Sequence, residues 1–204
     1  YDLSNNKVSG EVKITVPDTP AKPDVPTNPS KPTTPVTFSD VPNNANTEWY
    51  YTAVTELAGA GIINGYEDGT FRPANEVTYG QALKLIMMAA GYEDLSGTGS
   101  NWAKGFLDKA LEDGLLSQTV NLDRKITRSA IAEIAYKALK LDKPTIASPF
   151  YDSTEESALA LYETGIITGE ERSGKLMFFG SYSITRREMA VIIWRMNNYM
   201  LNKG

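Results

Sequence analysis

The sequence contains neither cysteine nor histidine. The chain therefore has no disulfide, no thiolate or imidazole zinc site, no cysteine nucleophile and no histidine-based catalytic triad. Its 204 residues include 20 basic and 25 acidic side chains, a formal net charge of −5. Nucleic acid is not the expected partner, because neutralising phosphates needs clustered lysine and arginine. We expect any anion-binding site to be local.

Long hydrophobic runs are also missing. No stretch approaches the roughly 18 apolar residues that cross a bilayer, so no membrane partner is expected. The segment that begins at Tyr1 has neither the basic nor the apolar part of a signal peptide, and we expect the chain to be excised from a longer protein. A composition of 41% hydrophobic and 22% charged residues nevertheless supports a folded core.

The first 35 residues divide into two segments. In residues 1–16, Val12, Ile14 and Val16 alternate with polar residues, which predicts the terminal strand of a truncated upstream module. Residues 17–35 carry a proline at every third position and form a predicted linker. This spacing favours an extended polyproline II stalk. The alternative is a proline-rich ligand of an SH3-like partner.

From residue 36 the sequence repeats a helix–loop–helix pattern three times, over 36–94, 95–143 and 144–204. An apolar helical stripe in each copy ends in a glycine, the residue favoured just beyond a helix: Gly61, Gly114 and Gly165. A second helix opens after a threonine N-cap: Thr78, Thr127 and Thr185. Gln81 and Glu188 predict capping boxes in the first and third copies. An apolar residue seven positions before each threonine is expected to plug the loop: Phe71, Val120 and Phe178. The predicted fold class is all-α, with copies that bury their faces against one another.

The first copy also carries a distinctive set of residues. It includes Phe38 to Pro42, Trp49, Gly61 to Tyr66 and Asp68 to Pro73, and a Thr-Arg motif follows in the second and third copies. These residues resemble the S-layer homology family over about residues 36–200. The resemblance implies a pseudo-threefold helical module that has binding grooves between neighbouring copies and no catalytic residue, cofactor or metal.

The resemblance further implies a function at the bacterial surface. It implies a secreted protein, held non-covalently at the cell wall or S-layer by an anionic secondary cell wall polysaccharide. The polymer is expected to be pyruvylated, or else a peptidoglycan-linked glycan, and the isolated module is expected to be a monomer. Two other interpretations remain open: a cell-wall glycan hydrolase, and a protein–protein module of a surface lattice.

The motif arginine is the family's main contact to the anionic sugar, which implies roles for Arg128 and Arg186, with Arg187 beside the latter. A cation in the first turn of a helix opposes the helix dipole, and this placement makes sense if an anion binds there. The alternative is that each arginine pairs with a nearby acid or points into water. Tyr79 occupies the arginine position of the first copy, so at most two competent grooves are expected.

The other candidate ligand contacts each have a structural alternative. Trp49 and Trp102 either stack on a sugar ring or pack at the head of an apolar stripe. Gly65 and Gly169 are either turn glycines with positive φ or positions where a missing side chain lets a sugar approach. Asp40 is expected to order its loop or cap a helix, with ligand contact as the other possibility.

Overall fold

The structure is a computed structural model that describes residues 36–44, 46–97 and 101–203. The strand predicted over residues 1–16 and the proline-rich linker over 17–35 lie outside the described residues. None of the helices within these ranges is both long and apolar enough to cross a bilayer.

The described residues form six helices and one short hairpin. The helices are α1 Glu48–Gly59, α2 Tyr79–Ala89, α3 Lys104–Glu112, α4 Arg128–Ala138, α5 Glu156–Glu163 and α6 Arg186–Lys203. The hairpin pairs β1 Glu170–Arg172 antiparallel with β2 Lys175–Met177. The prediction of a mainly helical protein is therefore confirmed, while the hairpin departs from the all-α expectation.

Local sequence signals account for the helix ends. Gly61, Gly114 and Gly165 each follow the end of a helix with φ between +71° and +75°, a conformation that costs glycine little. Thr78 and Gln81 form the predicted capping box at α2. At α4, the Thr127 hydroxyl accepts a hydrogen bond from the Ala130 N–H. At α6, the Glu188 carboxylate accepts the reach-back bond from the Thr185 N–H at 2.8 Å.

Three buried residues, each just before α2, α4 or α6, connect the three predicted copies through backbone hydrogen bonds. The Val77 N–H donates to the Ile184 carbonyl at 3.0 Å, the Ile184 N–H donates to the Ile126 carbonyl at 3.3 Å, and the Ile126 N–H donates to the Val77 carbonyl at 3.1 Å. These bonds form a closed ring of three. Because all three side chains are buried, the ring lies within the core.

Helix packing follows the same cyclic order. The first helix of each predicted copy packs against the second helix of another copy: α1 on α6, α3 on α2 and α5 on α4. Phe71 and Phe178 plug their loops as predicted, each with 2% of its surface exposed. Val120 is only half-buried, so the second copy departs from that expectation. The core is thus shared between copies.

The hairpin was missed because its strands carry no strand pattern. Residues 170–172 read Glu-Glu-Arg and are exposed, so no apolar alternation marks them. The two-residue turn places Ser173 at φ +51° and Gly174 at φ +73°. Positive φ at both positions is the type I′ geometry that matches the twist of a hairpin. This hairpin stands where the first copy has its Asp-Gly-Thr-Phe turn.

Candidate functional site

A cavity of about 380 Å³ opens beside the start of α6. Four of the eight residues that the sequence analysis selected line it: Trp49, Arg128, Gly169 and Arg187. Glu170, Glu188 and Arg195 complete its charged wall, over an apolar base that includes Ile166 and Val191. The cavity therefore combines an exposed aromatic ring, fixed charges and apolar surface contributed by all three predicted copies.

Arg128, the first residue of α4, is held on both sides of its guanidinium. Its Nε donates to the Phe178 carbonyl at 2.9 Å, and its Nη1 lies 2.6 Å from Glu188 Oε1. The side chain of Arg128 is only 16% exposed. The alternative of pairing with an acid therefore holds for this arginine, although the pair itself forms part of the cavity wall.

Arg187, the second residue of α6, is held differently. Its backbone N–H donates to the Pro73 carbonyl at 3.0 Å, and its guanidinium carbon lies 5.8 Å from the centre of the Trp49 ring. Its side-chain Nε is buried and has no hydrogen-bond partner among the described residues. Because this atom is out of reach of solvent, its missing partner is a cost of the fold rather than a contact offered to a ligand. Arg187 as a whole is half-buried and lines the cavity.

Arg195 adds a third cation to the cavity. Its Nη1 makes only long contacts, 3.4 Å to the Ile166 carbonyl and 3.5 Å to the Thr168 hydroxyl. Burial lowers the pKa of Arg195, which reflects a poorly hydrated guanidinium. Of the two glutamates at the cavity, Glu188 is paired with Arg128 and Glu170 with Arg172 at 2.7 Å, so the charges of Arg187 and Arg195 stay uncompensated on a chain of net charge −5. An anion is thus favoured here against the charge of the whole chain.

Arg186 lies apart from this cavity. Its Nε donates to the Phe71 carbonyl at 2.8 Å and its Nη2 to the Asn64 carbonyl at 2.9 Å. Burial lowers the pKa of Arg186, and its guanidinium carbon lies 4.5 Å from the centre of the Phe71 ring. The open space beside it is only about 30 Å³. Arg128 and Arg186 thus make the same bond to a plug carbonyl, but only Arg128 faces a large cavity.

Trp49 and Trp102, two of the three tryptophans in the sequence, are exposed rather than packed in the core. Trp49 is 53% exposed at the cavity, with its ring edge-on to Tyr50 at 4.9 Å. Trp102 is 43% exposed, and the Lys84 ammonium lies 6.0 Å from the centre of its ring. The packing alternative is therefore wrong for both residues. Only Trp49 shares a cavity with the arginines.

The two glycines differ in the reason for their identity. Gly169 has φ +70° at the cavity, which fits the turn interpretation. Gly65 is not among the positive-φ residues, so that interpretation is wrong there. A Cβ at Gly65 would collide with the Phe38 ring and lie 2.8 Å from the Thr70 carbonyl oxygen. Close packing, not backbone conformation, requires glycine at position 65.

Asp40 orders a loop, which is one of the two structural roles expected for it from the sequence. One carboxylate oxygen accepts the Phe71 N–H at 2.8 Å and the other accepts the Arg72 N–H at 2.7 Å. Asp152 repeats the arrangement, with bonds to the Phe178 and Phe179 N–H groups. Both oxygens of Asp40 are therefore engaged by the backbone and positioned to support the plug loop.

Sequence reasoning missed three of the charged residues at the cavity: Glu170, Arg195, and Glu188 in its role as the partner of Arg128. Arg195 lies eight residues after Arg187, on the same face of one helix, so helical spacing from the motif provided a signal for it. The Arg128–Glu188 pair joins the starts of two helices that are 60 positions apart, so no short sequence pattern predicted it. Among the described residues, no group of three or more acidic side chains could hold a metal ion.

A second open surface lies between α4 and α5 and has the opposite charge. The open space at this surface has a volume of about 590 Å³. Its charged lining consists of three glutamates and one lysine: Glu133, Glu155, Glu156 and Lys137. Ser129 and Tyr136 donate to Glu155 and Glu156 at 2.7 Å and 2.8 Å. An anion is therefore disfavoured here, in contrast to the cavity at α6.

Comparison with known proteins gives consistent matches. Residues 37–83 match the profile of the S-layer homology domain. The chain is 31% identical to the middle cell wall protein of Brevibacillus brevis over 107 residues, 52% of this chain and 10% of that protein. It is 33% identical to a cell surface protein of Thermoanaerobacter kivui over 106 residues, 51% of this chain and 13% of that protein. It is 27% identical to an uncharacterized cell wall amidase of Bacillus anthracis over 121 residues, 54% of this chain and 22% of that protein. The chain thus matches only a small part of each of these relatives.

Proposed function

We propose that the chain, whose residues 37–83 match the S-layer homology domain, anchors an exported protein non-covalently to the bacterial cell wall. The names of its relatives, a cell wall protein and a cell surface protein, support a secreted location at the wall. The anchoring ligand in this proposal is an anionic wall polysaccharide that binds in the cavity beside α6.

The observation that carries the proposal is the pair of cations at this cavity, Arg187 and Arg195, neither of which forms an ion pair among the described residues. A carboxylate on the sugar, such as that of a ketal-linked pyruvate, neutralises these cations and accepts charge-assisted hydrogen bonds, which a neutral sugar cannot match. The apolar face of the sugar stacks on Trp49, whose ring is exposed at the same cavity. The positive end of the α6 dipole adds a favourable field for an anion in the cavity.

The same proposal includes three interlocked copies with the boundaries 36–94, 95–143 and 144–204. The closed ring of hydrogen bonds through Val77, Ile126 and Ile184 supports a pseudo-threefold arrangement. The cyclic packing of first helices on second helices supports it as well. A ligand in the cavity then contacts all three copies, so binding favours the assembled module.

Arg186 has a smaller role in this proposal than its motif suggests. Only about 30 Å³ is open beside it, and two carbonyls already accept its N–H groups. We assign the principal site to the cavity with Arg187, Arg128 and Trp49, and a lesser site to the surface near Arg186.

The central test is sedimentation with purified wall sacculi. Arg187→Ala should weaken binding at least about tenfold, the scale of one lost charge-assisted hydrogen bond. Arg124→Ala is the matched control, because Arg124 is an exposed arginine outside the cavity. Equal binding by both variants, with unchanged helicity, would refute the assigned site. Chemical removal of pyruvyl groups from the wall polymer tests whether pyruvate is the anion that is recognised.

A wall hydrolase is the second candidate, because one relative carries the name of a cell wall amidase. That likeness covers 22% of the relative, which is compatible with an anchoring part attached to a separate catalytic part. Incubation with labelled wall material separates the two functions, since an anchor retains the wall polymer and releases no soluble fragments.

A further inference from the structure

The two glutamates that line the cavity beside α6 are both engaged by other arginines. Oε1 of Glu188 lies 2.6 Å from Nη1 of Arg128, and Oε1 of Glu170 lies 2.7 Å from Nη2 of Arg172. Each carboxylate therefore already balances one cation. The other cations in the lining of the cavity keep their charges for a ligand.

These remaining cations, Arg187 and Arg195, contact different walls of the cavity. The guanidinium carbon of Arg187 lies 5.8 Å from the centre of the Trp49 ring, at the start of α1. Nη1 of Arg195 makes long contacts with the segment after α5, 3.4 Å to the Ile166 carbonyl and 3.5 Å to the Thr168 hydroxyl. The two Cα atoms are about 12 Å apart along α6, because each of the eight residue steps adds about 1.5 Å. We therefore expect the two arginines to meet different groups of a ligand.

The equivalent position of the second copy shows how a cation at this place can be neutralised within its own helix. Lys137 stands ten positions after the threonine cap of α4, as Arg195 does after that of α6. The Lys137 ammonium lies 2.8 Å from the Glu133 carboxylate, four residues earlier. The residue four positions before Arg195 is Val191, which belongs to the apolar base of the cavity. Arg195 thus lacks the partner that balances Lys137.

We infer that the ligand of this cavity is a glycan segment with two anionic groups on different sugar units, one bound by Arg187 and the other by Arg195, an inference that rests on the proposed function of the site. A segment with a single anion leaves the second guanidinium uncompensated in a poorly hydrated space. A second anion adds charge-assisted hydrogen bonds of its own there. Arg195 is accordingly a ligand-binding residue that selects for the second charge.

Sedimentation at graded concentrations of purified wall sacculi tests the inference through a double-mutant cycle. Arg187→Ala and Arg195→Gln should each weaken binding about tenfold, and the double variant about a hundredfold, because two separate anions lose their partners independently. If both cations held one anion, the second substitution would add little to the first. Binding by Arg195→Gln should also depend less on salt than binding by the native chain, because one fewer charge is engaged.

Lys137→Gln is the matched control, because it removes a cation that Glu133 already balances, and its binding should stay within about twofold of native. Arg195→Lys keeps the charge and should retain most of the affinity. Circular dichroism should show the native helicity for every variant.

Two results would overturn the inference while the proposed function stands, provided that the native chain binds sacculi. One is native affinity of Arg195→Gln, and the other is a double variant that binds no more weakly than Arg187→Ala alone. If the native chain itself does not sediment with sacculi, the proposed function has failed, and the inference fails with it.

Discussion

Arg128 and Glu188, 60 positions apart in the sequence, form an ion pair of 2.6 Å between the starts of α4 and α6. The two side chains are 16% and 29% exposed, so water screens the pair only partly. The same carboxylate accepts the Thr185 N–H at the start of α6. One residue thus caps α6, joins it to α4 and balances the charge of Arg128 at the cavity.

This arrangement predicts a large stability loss for Glu188→Ala. The variant removes the cap acceptor and leaves Arg128 without its carboxylate partner in a mostly buried position. The free energy of unfolding should fall by about 2–4 kcal/mol, measured by urea denaturation. Glu188→Gln should retain the cap and lose about half as much.

Gln81→Ala provides the control, because it removes the reach-back bond of a capping box that has no ion pair. Its expected cost is about 1 kcal/mol. If Glu188→Ala costs no more than Gln81→Ala, the ion pair contributes nothing to stability and its assigned role is wrong.

A second prediction concerns Gly65. Gly65→Ala should destabilise the fold by about 1–3 kcal/mol, because the new methyl group overlaps the Phe38 ring. Gly61→Ala is the comparison, since its Cβ meets open space and its cost comes from φ +71° alone. Both are measured by urea denaturation.

The two glycine variants differ in how they can be rescued. Phe38→Leu should restore part of the stability of Gly65→Ala and none of that of Gly61→Ala, in a double-mutant cycle. Equal behaviour of the two variants in the Phe38→Leu background would contradict the packing explanation for Gly65.

The sequence predicted those features of the fold that depend on short-range bonds. A threonine cap acts on residues three positions away, and Gly61 takes its conformation from the helix it ends, so both can be recognised locally. The ring through Val77, Ile126 and Ile184 has no such signal, because each bond joins segments that are distant in sequence. The hairpin at 170–177 was missed because its charged first strand lacks alternation.

The site was predictable to a similar extent. The Thr-Arg motif indicated Arg128 and Arg186, with Arg187 beside the latter, whereas the cavity is lined by Arg128 and Arg187. The sequence treated Arg128 and Arg186 as equivalent, but their surroundings differ: a carboxylate and a wide cavity in one case, two carbonyls and little space in the other. Such differences arise from tertiary contacts, which repeat patterns do not encode.

A third prediction concerns acid stability and the turn at Asp68. Its pKa is lowered to about 2 by hydrogen bonds from the Thr70 hydroxyl, from Arg72 and from the Thr70 N–H. A depressed carboxyl pKa adds stability above the unfolded value of about 3.9, and this stability is lost as pH falls towards 2. Asp68→Asn should therefore lower Tm at pH 7, and the difference from the native chain should shrink between about pH 4 and 2. A difference that stays constant across this range would contradict the assignment.

A fourth prediction separates binding from folding at Trp49. Trp49→Ala should weaken sedimentation with wall sacculi about tenfold, because the sugar loses its stacking surface. Stability should change by less than about 1 kcal/mol, since the ring is 53% exposed. Trp102→Ala is the matched control, because Trp102 is similarly exposed but lies outside the cavity, so its binding should stay within about twofold of native. If the two variants bind sacculi equally well, the ligand does not stack on Trp49, and the apolar contact must come from the Ile166 and Val191 side of the cavity instead.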